Sequence, residues 1–185
     1  TSARLAKLER SKTSAEKIAE LAAAREAQRR LEALEHSGIP RRNRLFLPDG
    51  GAGTSAAWSR KTAELIGEIG RGGLFAVLGP CGVGKTQMAC EVIKVHCRDA
   101  EDPHARYLLA MDVFLAIKGT WRGESGTESA VLERLIAPTL LVIDEVDDRA
   151  TGDTTWPDGI LRHIINRRYQ HGAPKDTILI ANLTP

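Results

Sequence analysis

Between the apolar run Leu74–Leu78 and a helix-forming stretch that begins at Lys85, the chain places Gly79-Pro80-Cys81-Gly82-Val83-Gly84-Lys85-Thr86. No other segment restricts the fold as much. Its three glycines and one proline do not extend a strand; they free the backbone for a tight loop that ends on a helix. Strand, loop and helix in that order open a βαβ unit, which commits the strand to a parallel sheet. The segment fits G-x-x-x-x-G-K-[ST] at every fixed position. Such a loop turns successive N–H groups inward and presents them, with the positive end of the helix, to phosphate. Gly79, Pro80, Cys81, Gly82, Val83, Gly84, Lys85, Thr86 and Gln87 are therefore expected to cradle ATP or ADP. Lys85 should reach the β- and γ-phosphates from an exposed loop, and the Thr86 hydroxyl should bind Mg²⁺.

A second pattern supplies the acids. Leu140-Leu141-Val142-Ile143-Asp144-Glu145 reads as a buried strand whose C-terminal end delivers two carboxylates, at the sheet end where ligands of open parallel sheets bind. Asp144 is expected to hold Mg²⁺ through water, because that ion keeps much of its hydration shell. Glu145 is placed to polarise an attacking water. Asn182 closes the apolar run Thr177–Ala181, where its amide can contact a γ-phosphate or orient that water.

Around these motifs, apolar runs alternate with helical stretches. Strands are expected at Leu74–Leu78, Arg106–Ala110, Thr139–Ile143 and Thr177–Ala181. Helices are expected over 55–70, 85–97, 113–118, 129–136 and 158–170. That alternation gives an α/β fold, a parallel sheet in a three-layer α/β/α sandwich. Upstream, residues 3–35 contain no Pro or Gly and are rich in helix formers, with a break expected near Ser11–Ser14 and a cap at Thr13 or Ser14. Gly38 suits the left-handed position after a helix, and Pro40 cannot continue one. The division is a helical extension over 1–36, a linker over 37–54 and a core over 55–185. Residues 1–44 carry 11 Lys/Arg against 6 Glu, although the whole chain is only +2, so the extension is a basic arm suited to a partner. Cys81, Cys90 and Cys97 lack metal-ligand spacing; Cys90 and Cys97, seven apart, suit core packing, as does His163 on an apolar helix face. Without an apolar run long enough for a membrane span, or a signal-type segment, the reading is cytoplasmic.

The stretches Gly79–Ala89, Ala105–Trp121, Leu140–Asp147 and Ile160–Asn182 resemble AAA+ ATPases of the DnaC/IstB type, with their Walker A and Walker B patterns. These are replicative-helicase loaders and related transposition ATPases. Ser37-Gly38-Ile39-Pro40-Arg41-Arg42 is similar to the junction these proteins carry between a partner-binding part and the ATPase core. The resemblance implies an ATP-dependent, DNA-associated remodelling role, with the N-terminal helices gripping a replicative helicase and self-assembly through AAA+ interfaces. It also implies that Met111–Lys118 belongs to an extra helix facing single-stranded DNA. Lys118, Trp121 and Arg122 are the expected contacts: Gly119 should break the helix, leaving an indole beside two cations to stack bases and pair phosphates. The chain departs from the resemblance in having no Cys before Cys81, where some loaders carry a zinc cluster. It also ends at Pro185, so the family's fifth core strand, arginine finger and helical lid are expected beyond it, in a longer parent. Arg167 and Arg168 precede the last strand and do not suit the finger role. A transposition ATPase and a nucleotide-gated binding module with little turnover remain alternatives to the loader.

Overall fold

Period-two alternation along the strands creates two apolar faces, and helices cover both. The computed structural model describes residues 14–44, 55–123, 126–147, 155–170 and 172–182. In chain order these form α1 (Ser14–His36), a 3₁₀ turn (Arg41–Asn43), α2 (Ala56–Glu68), β1 (Leu74–Gly79), α3 (Lys85–Asp99), β2 (Ala105–Leu109), α4 (Ala110–Trp121), α5 (Glu128–Ile136), β3 (Leu140–Asp144), α6 (Thr155–Tyr169) and β4 (Asp176–Asn182). All three strand pairings are parallel, in the order β1-β4-β3-β2.

The central strand β3 is buried at every residue. Leu140 and Val142 face one cluster with Val92, Ile93 and Cys97 of α3, against which Leu34 of α1 and Leu65 and Ile66 of α2 also pack. Leu141 and Ile143 face a second cluster with Val113, Phe114 and Ile117 of α4, Leu135 of α5 and Ile164 of α6. The result is the three-layer α/β/α sandwich, with α1 to α3 on one side and α4 to α6 on the other. Burial pushes the Cys90 thiol up to about 12 and that of Cys97 up to about 11, which makes both inert packing groups.

Each of the expected strands and core helices is found, with ends shifted by a few residues. Two expectations are corrected. Gly119 does not break α4: it is buried inside the helix, which continues to Trp121 and stops only at Arg122 and Gly123. Tertiary packing of that turn outweighs the roughly 1 kcal/mol that glycine costs in a helix. His163 is exposed on α6 and is not a core residue; the face of α6 that carries Ile164 and Arg168 is the buried one. The expected helical break at Ser11–Ser14, the cap at Thr13 and residues 45–54 of the linker lie wholly or partly outside the described residues.

The junction Ser37–Arg44, read from the sequence as the start of a linker, packs on the core. Gly38 has the left-handed φ of +81° expected of it, and a Cβ there would lie 2.7 Å from the Tyr107 carbonyl oxygen. This close approach lets Ser37 O accept the Tyr107 N–H at 2.6 Å, on the outer edge of β2. Ile39 then enters the core beside α3. Upstream, Ile18 and Leu21 of α1 stand exposed one turn apart.

Candidate functional site

β1 ends in the glycine-rich loop, which passes into α3 at Gly84. Gly82 and Gly84 have φ of +82° and +86°, values that L side chains adopt only under strain. No side chain caps the start of α3, so its first N–H groups face the loop unpartnered by a cap. Trp58 of α2 donates its indole N–H to Gly84 O at 3.2 Å and packs where a Gly84 side chain would stand. Val83 and Cys81 point to solvent.

Lys85 departs from expectation. It is only 8% exposed, and its ammonium lies inside the loop. Nζ donates to Gly79 O at 2.9 Å, Pro80 O at 2.7 Å and Asn182 Oδ1 at 2.8 Å. The loop therefore closes on its own lysine, because three donors with no acceptor of their own satisfy carbonyls that the glycine turns leave free. The Asn182 amide meets Lys85 across the β1–β4 pairing, in which Gly79 is the register partner of Asn182. Gln87 bonds Glu91 on the next turn and Asn43 of the 3₁₀ turn.

The acids meet the loop from β3. Thr86 Oγ1 donates to Asp144 Oδ2 at 2.7 Å, and the Tyr107 hydroxyl donates to the same oxygen at 2.8 Å. The Glu145 N–H donates to Asp144 Oδ1 at 2.8 Å. Asp144 is buried, at 3% exposure, so this carboxylate is fixed by three donors. Burial, with the bond to Asp144 adding to it, raises the Tyr107 phenol well above its ordinary pKa. Glu145 is exposed and has φ of +56°, the only non-glycine with positive φ among the described residues. A strained acid at a strand end is a pattern found at functional sites. Asp147 accepts the Asn182 N–H at 2.8 Å, which ties the β3 turn to the end of β4.

A hydroxyl and a carboxylate oxygen within hydrogen-bond reach are hard donors of the kind Mg²⁺ takes, with phosphate and water completing its shell. Among the described residues no group of three or more His, Cys, Asp or Glu could hold a metal by itself. The sequence did not single out Tyr107. Its signal was a tyrosine in a buried strand, legible only once the register pairs Tyr107 with Val142, two residues before Asp144.

Lys118, Trp121 and Arg122 lie at the end of α4, on the opposite side of the sheet from α3. Trp121 is 60% exposed and is no core anchor. Its ring meets Trp156 edge-on at 5.4 Å, and its N–H donates to Glu128 at 3.2 Å. Lys118 Nζ stands 5.1 Å from the centroid of the Trp156 ring. Trp156 of α6, which belongs to no motif, thus joins the set, backed by Phe114. Arg168 is fully buried, donating to four carbonyls and to Thr177 Oγ1, while Arg167 stands near Glu133.

A family model described as IstB-like ATP binding protein matches residues 5–184. Among solved structures, AMPPCP-bound DnaA from Aquifex aeolicus matches at 16% identity with a TM-score of 0.60, covering 79% of this chain and 44% of that one. The DnaC helicase loader matches at 18% identity and TM-score 0.55, covering 76% and 75%. DnaI matches at 17% and 0.57, covering 80% and 77%. At such identities the likeness is one of fold, and this chain spans less than half the length of that DnaA. No curated protein matches the chain. With a family match over nearly its whole length, a phosphate loop closed on its lysine and a threonine–aspartate pair beside it, the chain belongs to the IstB-like ATP-binding proteins, and its core shares the fold of DnaC and DnaI.

Proposed function

We propose that this protein is a Mg²⁺-dependent ATPase that loads a replicative helicase onto single-stranded DNA. The observation that carries the catalytic part is the convergence of Lys85 with Asn182 and of Thr86 with Asp144 at the C-terminal end of the sheet. Lys85 neutralises the β- and γ-phosphates, and the N–H groups of the loop and of the first turn of α3 bind their oxygens. Thr86 and Asp144 would hold Mg²⁺, which when bound offsets charge on the phosphate oxygens. Glu145 accepts a proton from the attacking water, and Asn182 orients that water or the γ-phosphate. Arg168 is locked in the core and does not serve as an arginine finger.

Exposed Ile18 and Leu21 on a helix of mixed charge support a protein partner on α1. Lys118, Trp121 and Arg122, extended by Trp156, support base stacking beside phosphate pairing on the α4 face. No described helix is long and apolar enough to cross a membrane, and the protein works in the cytoplasm under this reading. Assembly through AAA+ interfaces belongs to the same reading.

A second reading is a transposition ATPase that delivers a transposase to DNA, favoured by the IstB-like family match. Two measurements test the proposal. ATP turnover with and without single-stranded DNA separates an ATPase from a nucleotide-gated binding module. Capture of a purified replicative helicase, lost on deleting residues 1–35, supports the loader; capture of a transposase instead selects the second reading.

A further inference from the structure

Tyr107 belongs to no motif of the nucleotide site, yet it touches two distant parts of the molecule. Its side chain is 6% exposed, and its hydroxyl donates at 2.8 Å to Asp144 Oδ2, the oxygen that also accepts from Thr86 at 2.7 Å. Its backbone N–H donates at 2.6 Å to Ser37 O, immediately after α1. Its carbonyl lies against Gly38, where a single added carbon would stand 2.7 Å away. Arg106, its neighbour, donates to His36 O at 3.2 Å and extends the clip.

These contacts divide the work around Asp144. Thr86 is itself a candidate ligand of the ion, and the Glu145 N–H follows its own strained backbone. Tyr107 is the donor that also carries the α1 junction: its strand pairs with β3 on one edge, at Val142, and takes the Ser37 carbonyl on the other. A carboxylate rotates freely unless its neighbours fix it, and groups that orient a ligand from behind typically change metal affinity by about 10- to 100-fold. We infer that Tyr107 is a positioning residue that aims Asp144 at the ion, and that the α1 junction acts on the nucleotide site through it. A partner that pulls on α1 thereby changes how tightly Mg²⁺ is shared with ATP, without touching the phosphate loop. The inference rests on the ATPase reading above.

The test measures ATP binding to the full chain in EDTA and across a Mg²⁺ titration, for wild type, Lys85→Ala, Tyr107→Phe, Gly38→Ala and the Gly38→Ala/Tyr107→Phe pair. Tyr107→Phe keeps the packed ring and removes only the hydroxyl. It should leave Mg²⁺-free ATP affinity within about twofold and raise the Mg²⁺ midpoint about 10- to 100-fold. Gly38→Ala should raise that midpoint in the wild-type background and add little beside Tyr107→Phe. An unchanged midpoint in Tyr107→Phe, with ATP bound by wild type and lost in Lys85→Ala, overturns the positioning role alone. Equal shifts by Gly38→Ala in both backgrounds overturn the link through Tyr107. Failure of wild type to bind ATP, or full binding by Lys85→Ala, overturns the nucleotide reading and this inference with it.

Discussion

Replacing Lys85 by alanine separates two things the lysine does. Its ammonium bonds Gly79 O, Pro80 O and Asn182 Oδ1. Under the proposed function it also faces the phosphates of ATP. A unit charge about 4 Å from a phosphate charge gains roughly 4 kcal/mol at an effective dielectric near 20. Turning to the phosphate gives up one or two of the loop bonds, each worth about 1 kcal/mol net. The difference, about 2–3 kcal/mol, predicts that Lys85→Ala weakens ATP binding roughly 30- to 150-fold. The same variant frees Asn182 and two loop carbonyls at a partly solvated site, so it should lose only about 1–2 kcal/mol of stability. Calorimetric titration with ATP and Mg²⁺, alongside thermal melts, reads both numbers. An affinity within threefold of wild type in a folded variant would refute the assignment of Lys85 to the phosphates.

Glu145→Gln should retain ATP and lower its hydrolysis by about 10²–10⁴-fold, because the amide keeps the shape but accepts no proton; normal turnover would move the base to Asp147. Trp121→Ala should weaken binding to an oligothymidine by roughly 5- to 150-fold with a nearly unchanged melting temperature, given its 60% exposure. Lys118→Ala and Arg122→Ala should each flatten the salt dependence of that binding by about 0.7 in slope; a destabilised Trp121→Ala with wild-type DNA affinity would instead make the indole structural. Burial holds His96 below its ordinary 6.5, against the opposing pull of Asp176 and Asp102. The unfolded chain therefore binds that proton more readily, so the stability His96 contributes is full above about pH 6.5 and is lost as pH falls through its folded pKa, by at most about 1.4 kcal/mol per pH unit. His96→Gln should flatten urea midpoints between about pH 5 and pH 7, and parallel profiles would refute it.

Local patterns were the legible part of the sequence. Gly79–Thr86 and Leu140–Glu145 each carry their meaning within eight residues, and the alternation of elements gave the sandwich. What the sequence left hidden depends on register between distant segments. Tyr107 reaches Asp144 across 37 positions, and Lys85 reaches Asn182 across 97. Because the third of the lysine's partners comes from another strand, the closure of the loop on it had no complete local signature. Trp156 acquires meaning only where α6 crosses the end of α4. Gly119 misled because its solvent-free packing in α4 offsets its weak intrinsic helix preference.

The strand order has a consequence for how the molecule is made. β1, which carries the phosphate loop, has β4 as its partner in the sheet, so Leu74 waits for Thr177 before it can pair. At synthesis rates of about 5–20 residues per second, that delay is roughly 5–20 s, during which the loop has left the ribosome without its scaffold. The α3, β2 and β3 segments are all available earlier, and Thr86, Tyr107 and Asp144 can meet among themselves. Lys85, by contrast, cannot find Asn182 until β4 arrives. Nascent chains short of β4 hold Lys85, Thr86 and Asp144 but neither Asn182 nor the pairing that supports the loop, and the arrival of β4 sets the moment at which a nucleotide can first be retained.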